Sequence, residues 1–213
     1  MGREGFFITL EGGEGSGKTT IIGRLAAYLQ NRSLPYLITR EPGGIEIAEK
    51  IRSIILDPAH TAMDARTEAL LYAASRSQHL AERVEPALKT GLIVLCDRFV
   101  DSSLVYQGYA RGLGMEEVRA INQFATGGRM PDLTFYLDIE PEVGLARITA
   151  SGEREINRLD LESLAFHQKV REGYRMIAEA NPRRIVTLDA GRPLHVVERE
   201  LIHTLEDRLL KDF

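Results

Sequence analysis

Gly12-Gly13-Glu14-Gly15-Ser16-Gly17-Lys18-Thr19 fits the G-x-x-x-x-G-K-[ST] pattern of a phosphate-binding loop. Its flanks supply the setting that the motif needs. Phe6-Phe7-Ile8-Thr9-Leu10, just before it, is an apolar, β-branched and aromatic run that predicts a buried strand. Thr20 to Tyr28, just after it, predicts a helix. The glycines let the backbone wrap so that successive N–H groups point at one anion. In such a loop Lys18 reaches the β- and γ-phosphates of a nucleotide, and the Thr19 hydroxyl can ligate Mg²⁺.

Outward from the loop, apolar runs at 6–10, 36–39, 92–96, 133–137 and 185–188 alternate with helix-periodic segments. Those segments cover roughly 18–32, 45–56, 64–89, 102–110, 115–126, 141–149, 160–180 and 194–210. The alternation predicts an α/β fold, a five-stranded parallel sheet with helices on both faces, in one domain spanning 1–213. Ligands of such sheets sit beyond the carboxyl ends of the strands. The first three predicted strands end in chemistry: the glycine loop, then Arg40-Glu41-Pro42-Gly43-Gly44, then Asp97-Arg98. Asp138 and Asp189-Ala190-Gly191 end the last two, where a turn or cap role is as good a reading as a functional one.

Composition narrows the class. The 213 residues are 44% hydrophobic, enough for one sizeable core. Net charge is −4 with the signs interspersed, so the basic stripe expected of a nucleic-acid partner is missing. No run approaches the 18 apolar residues of a membrane span. Met1 to Glu4 lead straight into the first strand, which leaves no room for a signal peptide and sets the expectation of a cytoplasmic protein. The single cysteine, Cys96, falls on a predicted buried strand and reads as a small core residue.

Four further constellations lie near the expected crevice. Leu92 to Cys96 followed by Asp97 is a Walker-B-like strand, with the carboxylate placed for Mg²⁺ directly or through water. Arg98 beside it suits a bidentate phosphate clamp, or else a pairing with a neighbouring carboxylate. Arg40 faces the crevice of the glycine loop, and a plain turn does not account for it. Tyr72 and Arg76 stand four apart on a helix and could meet a planar base, although the spacing alone fits a core tyrosine and a surface arginine better. Ser103, Tyr106 and Gln107 make one polar face of a helix capped by Asp101 or Ser102. Gln107 has both a donor and an acceptor to offer a base edge, and an ordinary solvated face fits the spacing equally well. The polar segment 148–161 is either a flap carrying arginines or a solvated connection.

Together these residues resemble the bacterial type of thymidylate kinase nearly end to end. The likeness rests on Phe7 to Thr20, Thr39-Arg40-Glu41-Pro42-Gly43-Gly44, Thr67 to Arg76, Asp97-Arg98-Phe99, Asp101-Ser102-Ser103 with Tyr106-Gln107-Gly108, and Asn157-Arg158-Leu159-Asp160. It implies a P-loop nucleoside monophosphate kinase fold, Mg²⁺ with ATP as phosphoryl donor, dTMP as acceptor, dTDP as product, and a homodimer. Lys18 and Thr19 would serve ATP and Mg²⁺, and Glu14 would approach the deoxyribose 3′-OH. Arg40, Arg52 and Arg98 would hold the dTMP phosphate. Tyr72 would stack on thymine, Arg76 and Gln107 would read its edge, and Tyr106 would crowd the sugar 2′ position. The loop carries no arginine, so the resemblance assigns the catalytic arginine to the 148–161 lid, as Arg154 with Arg158 the alternative. Two other readings stand beside this one. A related nucleoside or nucleotide kinase would need different base-reading residues. A nucleotide-driven switch would hydrolyse without an acceptor, and the Asn-Lys-x-Asp motif of a GTPase switch is absent.

Overall fold

The computed structural model describes residues 4–151 and 158–209. Five strands form one wholly parallel sheet in the order β2-β3-β1-β4-β5. They are β1 (Phe6–Glu11), β2 (Tyr36–Arg40), β3 (Ile93–Asp97), β4 (Leu133–Asp138) and β5 (Ile185–Asp189), each within a residue or so of its expected run. The connecting helices are α1 (Lys18–Asn31), α2 (Glu46–Leu56), α3 (Ala65–His79), α4 (Glu85–Lys89), α5 (Val100–Ser103), α6 (Met115–Thr126), α7 (Pro141–Ser151), α8 (Leu164–Ala180) and α9 (Leu194–Leu209).

Both faces of the sheet are buried, which is why its strands read as apolar runs and not as alternating ones. Ile8 and Leu10 of β1 point into a core shared with Leu25 and Leu29 of α1 and Leu201 and Leu205 of α9. Phe7 of β1 points the other way, with Val94 and Cys96, onto Leu80, Leu88, Phe99 and Leu104. A third cluster joins Tyr106, Tyr136, Phe166 and Tyr174 under α8.

Two predicted helices differ from expectation. The continuous helix over 64–89 is broken by a π-helical stretch, Leu80–Val84, between α3 and α4. The helix expected over 102–110 starts earlier, at Val100, and turns π-helical over Leu104–Ala110. Neither Asp101 nor Ser102 caps it. Phe99 holds the N-cap position with no side-chain bond, since the helix starts at Val100 and Asp101 and Ser102 fall inside its first turn, where Asp101 pairs with Arg184 and Ser102 donates to Glu11 at 2.5 Å.

The register fixes the crevice. Leu10, Asp97 and Arg40 are direct neighbours across β1, β3 and β2, so the three chemical strand ends lie level. The chain leaves β1 towards β2 and β3 on one side and later continues to β4 on the other. The glycine loop therefore sits at the topological switch point, where this class of sheet binds its ligand.

Candidate active site

Residues 12–17 leave β1 and deliver Lys18 as the first residue of α1. Gly15 and Gly17 have φ of 68° and 92°, a left-handed backbone that side chains rarely tolerate. At Gly15 a Cβ would also lie 2.0 Å from the Gly144 carbonyl oxygen of α7. That point of the loop therefore has no room for a side chain, an arginine included. Lys18 curls back, donating through Nζ to the carbonyls of Gly12 (3.1 Å) and Gly13 (2.9 Å) and to Ser16 Oγ (3.3 Å). Burial, then the nearby Arg98, pull its ammonium down to about 8, against the opposing pull of Asp97, Glu14 and Glu11. An incoming polyphosphate would favour the charged form.

Around this loop lies a cavity of about 670 Å³. Glu14 to Ile21 form one wall, and Arg40, Asp97 and Arg98 come from the neighbouring strand ends. Two residues that sequence reasoning missed, Arg147 and Arg192, line its far side with Ala190, Leu194 and Val197. Arg147 Nη2 donates to the Ala190 carbonyl at 3.1 Å, tying α7 to the loop after β5. The only earlier signal there was Asp189-Ala190-Gly191, read as turn or function. Asp189 is the turn, accepting from Gly191 N at 2.9 Å, and Asp138 is structural too, paired with Arg171.

Asp97 Oδ1 is buried with no hydrogen-bond partner, while Thr19 lines the same cavity. A hydroxyl and a carboxylate are a sparse oxygen set, and no cluster of three or more His, Cys, Asp or Glu suited to a metal occurs among the described residues. That sparseness suits Mg²⁺, which keeps waters and takes its other ligands from phosphates.

A second, smaller cavity of about 80 Å³ opens beside the first. Tyr72, Arg76, Ser103, Tyr106 and Gln107 all line it, so the structure brings the predicted base-side residues together. Glu14, Glu41, Arg52 and Arg98 line both cavities. Arg98 is the hinge of the site. Its φ of 70° is left-handed, held where Arg98 N donates to Leu10 O and Phe99 N donates to Glu11 Oε1 at 2.7 Å. It pairs with Glu14 at 2.5 Å, not with Asp97, donates to Tyr106 Oη at 3.2 Å, and lies over the Tyr106 ring. Arg52 donates to Pro42 O at 2.9 Å, and burial, with Arg40 next, lowers its pKa. Arg40 is exposed and pairs with Glu49 at 2.7 Å.

The residues lining this second cavity are more deeply embedded than their spacing suggested. Arg76 is 1% exposed, where the spacing alone had favoured a surface arginine. It donates to Glu41 (2.6 Å), Ser103 (3.0 Å), Asn122 and the Phe99 carbonyl (2.9 Å). Gln107 donates its amide to Glu68 at 2.8 Å. Glu41 and Glu68 are two buried carboxyl residues whose part here sequence reasoning missed. Glu41 also meets His79, whose other ring nitrogen meets Thr39 at 2.6 Å. Arg158 pairs with Glu68 and donates to the Ile55 carbonyl at 2.9 Å. Of the expected lid over 148–161, α7 takes residues up to Ser151 and residues 158–161 form turns. Arg154 and Asn157 lie outside the described residues.

Two adjoining cavities beside a P-loop are what the residues build, and the comparisons agree with it. The profile of the thymidylate kinase family matches residues 10–201. The chain belongs to the thymidylate kinase family. It is similar to the thymidylate kinase of Clostridium novyi (strain NT), 63% identical over 198 residues that cover 93% of this chain and 97% of that one. It is 59% identical over 205 residues to that of Geobacillus thermodenitrificans (strain NG80-2), covering 96% and 91%. It is 58% identical over 207 residues to that of Bacillus velezensis, covering 97% and 98%. Thymidylate kinases are phosphotransferases, and the parallel α/β sheet with its P-loop is their nucleoside monophosphate kinase fold.

Proposed function

We propose that the protein, acting as a single domain, transfers the γ-phosphoryl group of ATP to dTMP, giving dTDP. The observation that carries this reading is the shared wall: Glu14, Arg52 and Arg98 line both the P-loop cavity and the base-side cavity. A donor in the first and a monophosphate in the second would meet there end to end. Phosphoryl transfer needs the two anions aligned and their charge neutralised, with little covalent work from the protein. The acceptor is itself a phosphate, so no strong general base is required.

Lys18 and the loop N–H groups hold the donor phosphates, and Arg98, with Arg52 and Arg40, holds the acceptor phosphate. Thr19 and Asp97 would hold Mg²⁺, which when bound would supply positive charge to offset that of the donor phosphates. Glu14, anchored by Arg98 and accepting from Tyr106 Oη at 3.3 Å, faces the sugar, with Tyr106 against its 2′ side. Tyr72 supplies a face for the pyrimidine. Arg76 donates towards the exocyclic oxygen, and Gln107 accepts from the ring imino N–H. Arg154 of the lid supplies the transition-state cation for which Gly15 has no room. Arg158, held by Glu68, is engaged elsewhere. A cytoplasmic setting goes with an ATP-dependent reaction, and no described helix is long and apolar enough to cross a membrane. The homodimer rests on exposed apolar residues of three adjacent helices, Ile47 and Ile54 of α2, Leu70 of α3 and Phe124 of α6.

The test is ADP release with and without each monophosphate. Turnover should depend on the acceptor, with dTMP far ahead of dCMP, dGMP and dAMP. Equal rates with all four would remove the assignment, and unchanged hydrolysis without any acceptor would point to a switch.

A further inference from the structure

The base-side cavity rests on a buried carboxylate that the reaction scheme leaves unassigned. Glu68 of α3 is 1% exposed. It accepts from Gln107 Nε2 at 2.8 Å, from Arg111 Nε and Nη2 at 3.4 Å each, and from Arg158 Nη2. Burial pushes its pKa up, but the Gln107 hydrogen bond and the two guanidiniums outweigh it, and the net shift is down. Glu68 is therefore ionised near neutrality, and an ionised carboxylate only accepts hydrogen bonds.

That chemistry decides which way the Gln107 amide faces, a choice that coordinates seldom settle. Its nitrogen must face Glu68. Its Oε1 takes no hydrogen bond from a described residue and remains for the cavity that Gln107 lines. Turning the amide over would set its oxygen against a buried anion and leave that carboxylate without one of its donors, which is costly.

We propose that Glu68 is a specificity-determining positioning residue: by holding the Gln107 nitrogen it presents only an acceptor to the base, and so selects pyrimidines with an N3–H over cytosine. Thymine and uracil carry that hydrogen. Cytosine carries a lone pair at N3 and an amino group at C4, and a freely turning glutamine would accept either ring. The inference rests on the reading of Gln107 as a base-edge residue.

The experiment compares kcat/KM for dTMP and dCMP in wild type, E68Q, E68D, Q107A and E68Q/Q107A. A neutral amide at position 68 can donate or accept, so Gln107 is free to turn. The dTMP-to-dCMP ratio should fall about tenfold or more in E68Q, since unmatched buried polar groups are what drive such discrimination. E68D remains an acceptor and should keep the ratio while slowing dTMP turnover. Loss of the Arg111 and Arg158 pairings alone would lower both substrates together and leave the ratio where it was. E68Q should lower the ratio no further once Gln107 is alanine. An unchanged ratio in E68Q, or a fall in E68D larger than that in E68Q, overturns the proposal. A ratio that falls in Q107A but not in E68Q overturns the Glu68 role alone, and one unmoved in Q107A overturns the Gln107 reading as well. If E68Q does not fold, the wild-type enzyme carries the test by NMR. In the dTMP complex the thymine imino N3–H signal should be protected from exchange with water in wild type and lose that protection in Q107A. A Gln107 side-chain N–H in NOE contact with the base, in place of a protected imino proton, would put the nitrogen on the base and overturn the proposal.

Discussion

Arg76 has most of its donors engaged inside the protein before any substrate arrives. Four of its five N–H groups meet Glu41, Ser103, Asn122 and the Phe99 carbonyl. Arg76→Ala would break the buried ion pair with Glu41, a loss of about 3–5 kcal/mol. For a chain of this size that lowers the Tm by about 6–20 °C. We therefore expect a calorimetric scan of Arg76→Ala to show a large drop in Tm alongside lost dTMP turnover. A wild-type Tm with lost turnover would make Arg76 a ligand contact and nothing more. Arg154 should behave in the opposite way. A lid arginine that acts only on the transition state affects kcat, so Arg154→Ala should lower kcat by at least about 10²-fold. Its Tm and dTMP affinity should stay near wild type. Arg158, paired with Glu68 and bound to the Ile55 carbonyl, should on replacement weaken stability and acceptor binding instead. A silent Arg154→Ala with a dead Arg158→Ala would exchange the two roles.

Between elements, the contact of β1 with α5 and α8 carries the strain at Arg98. The last residue of β1, Glu11, accepts from Phe99 N (2.7 Å), Ser102 (2.5 Å) and Tyr174 (2.8 Å) and is fully buried. It thereby clamps the turn in which Arg98 is left-handed. Burial, then Asp101, raise its pKa from 4.5 to about 7, against the pull of Ser102, Arg98 and Tyr174. A raised folded-state pKa means that the folded protein binds the proton more tightly than the unfolded chain. Its contribution to stability is fully present below about 4.5 and is lost as pH rises to about 7. Glu11→Gln removes that titration. The stability of wild type relative to Glu11→Gln should therefore fall between pH 5 and pH 8, read from urea melts. A difference that grows with pH would refute the assignment. The π-helical stretch after α5 is the other feature of this scale. It keeps Ser103, Tyr106 and Gln107 on one cavity wall, although the spacing argument assumed α-helical turns.

At the scale of the molecule, α3 packs between α2 and α6, and these three helices carry Ile47, Ile54, Leu70 and Phe124 exposed. Phe124 is 93% exposed, and a face gathering these four side chains would give a partner subunit an apolar patch to cover. Sedimentation velocity at micromolar concentration should find the wild type at twice 23.8 kDa. Phe124→Asp combined with Leu70→Asp should shift it towards the monomer. A monomeric wild type would count against the dimer.

Much of this was legible because it is local. A strand buried on both faces is apolar along its length, so the five runs announced themselves within a residue or so of their observed bounds. The glycine loop is one contiguous string whose spacing follows from the geometry of an anion, and Asp97-Arg98 follows directly on a strand. Residues drawn together from distant parts of the chain were not legible. Glu68 binds side chains 39, 43 and 90 residues away, and Arg147 reaches the carbonyl of Ala190, 43 residues on. Nothing in the neighbourhood of such a residue marks its partner, because register and packing choose it. The depth of Arg76 and of the buried carboxyl groups Glu41 and Glu68 was likewise beyond spacing, since helical periodicity says which face a side chain takes and not what covers that face. Local order along the chain thus determined the sheet and the glycine loop, and only the folded arrangement decided which charges meet beside the second cavity.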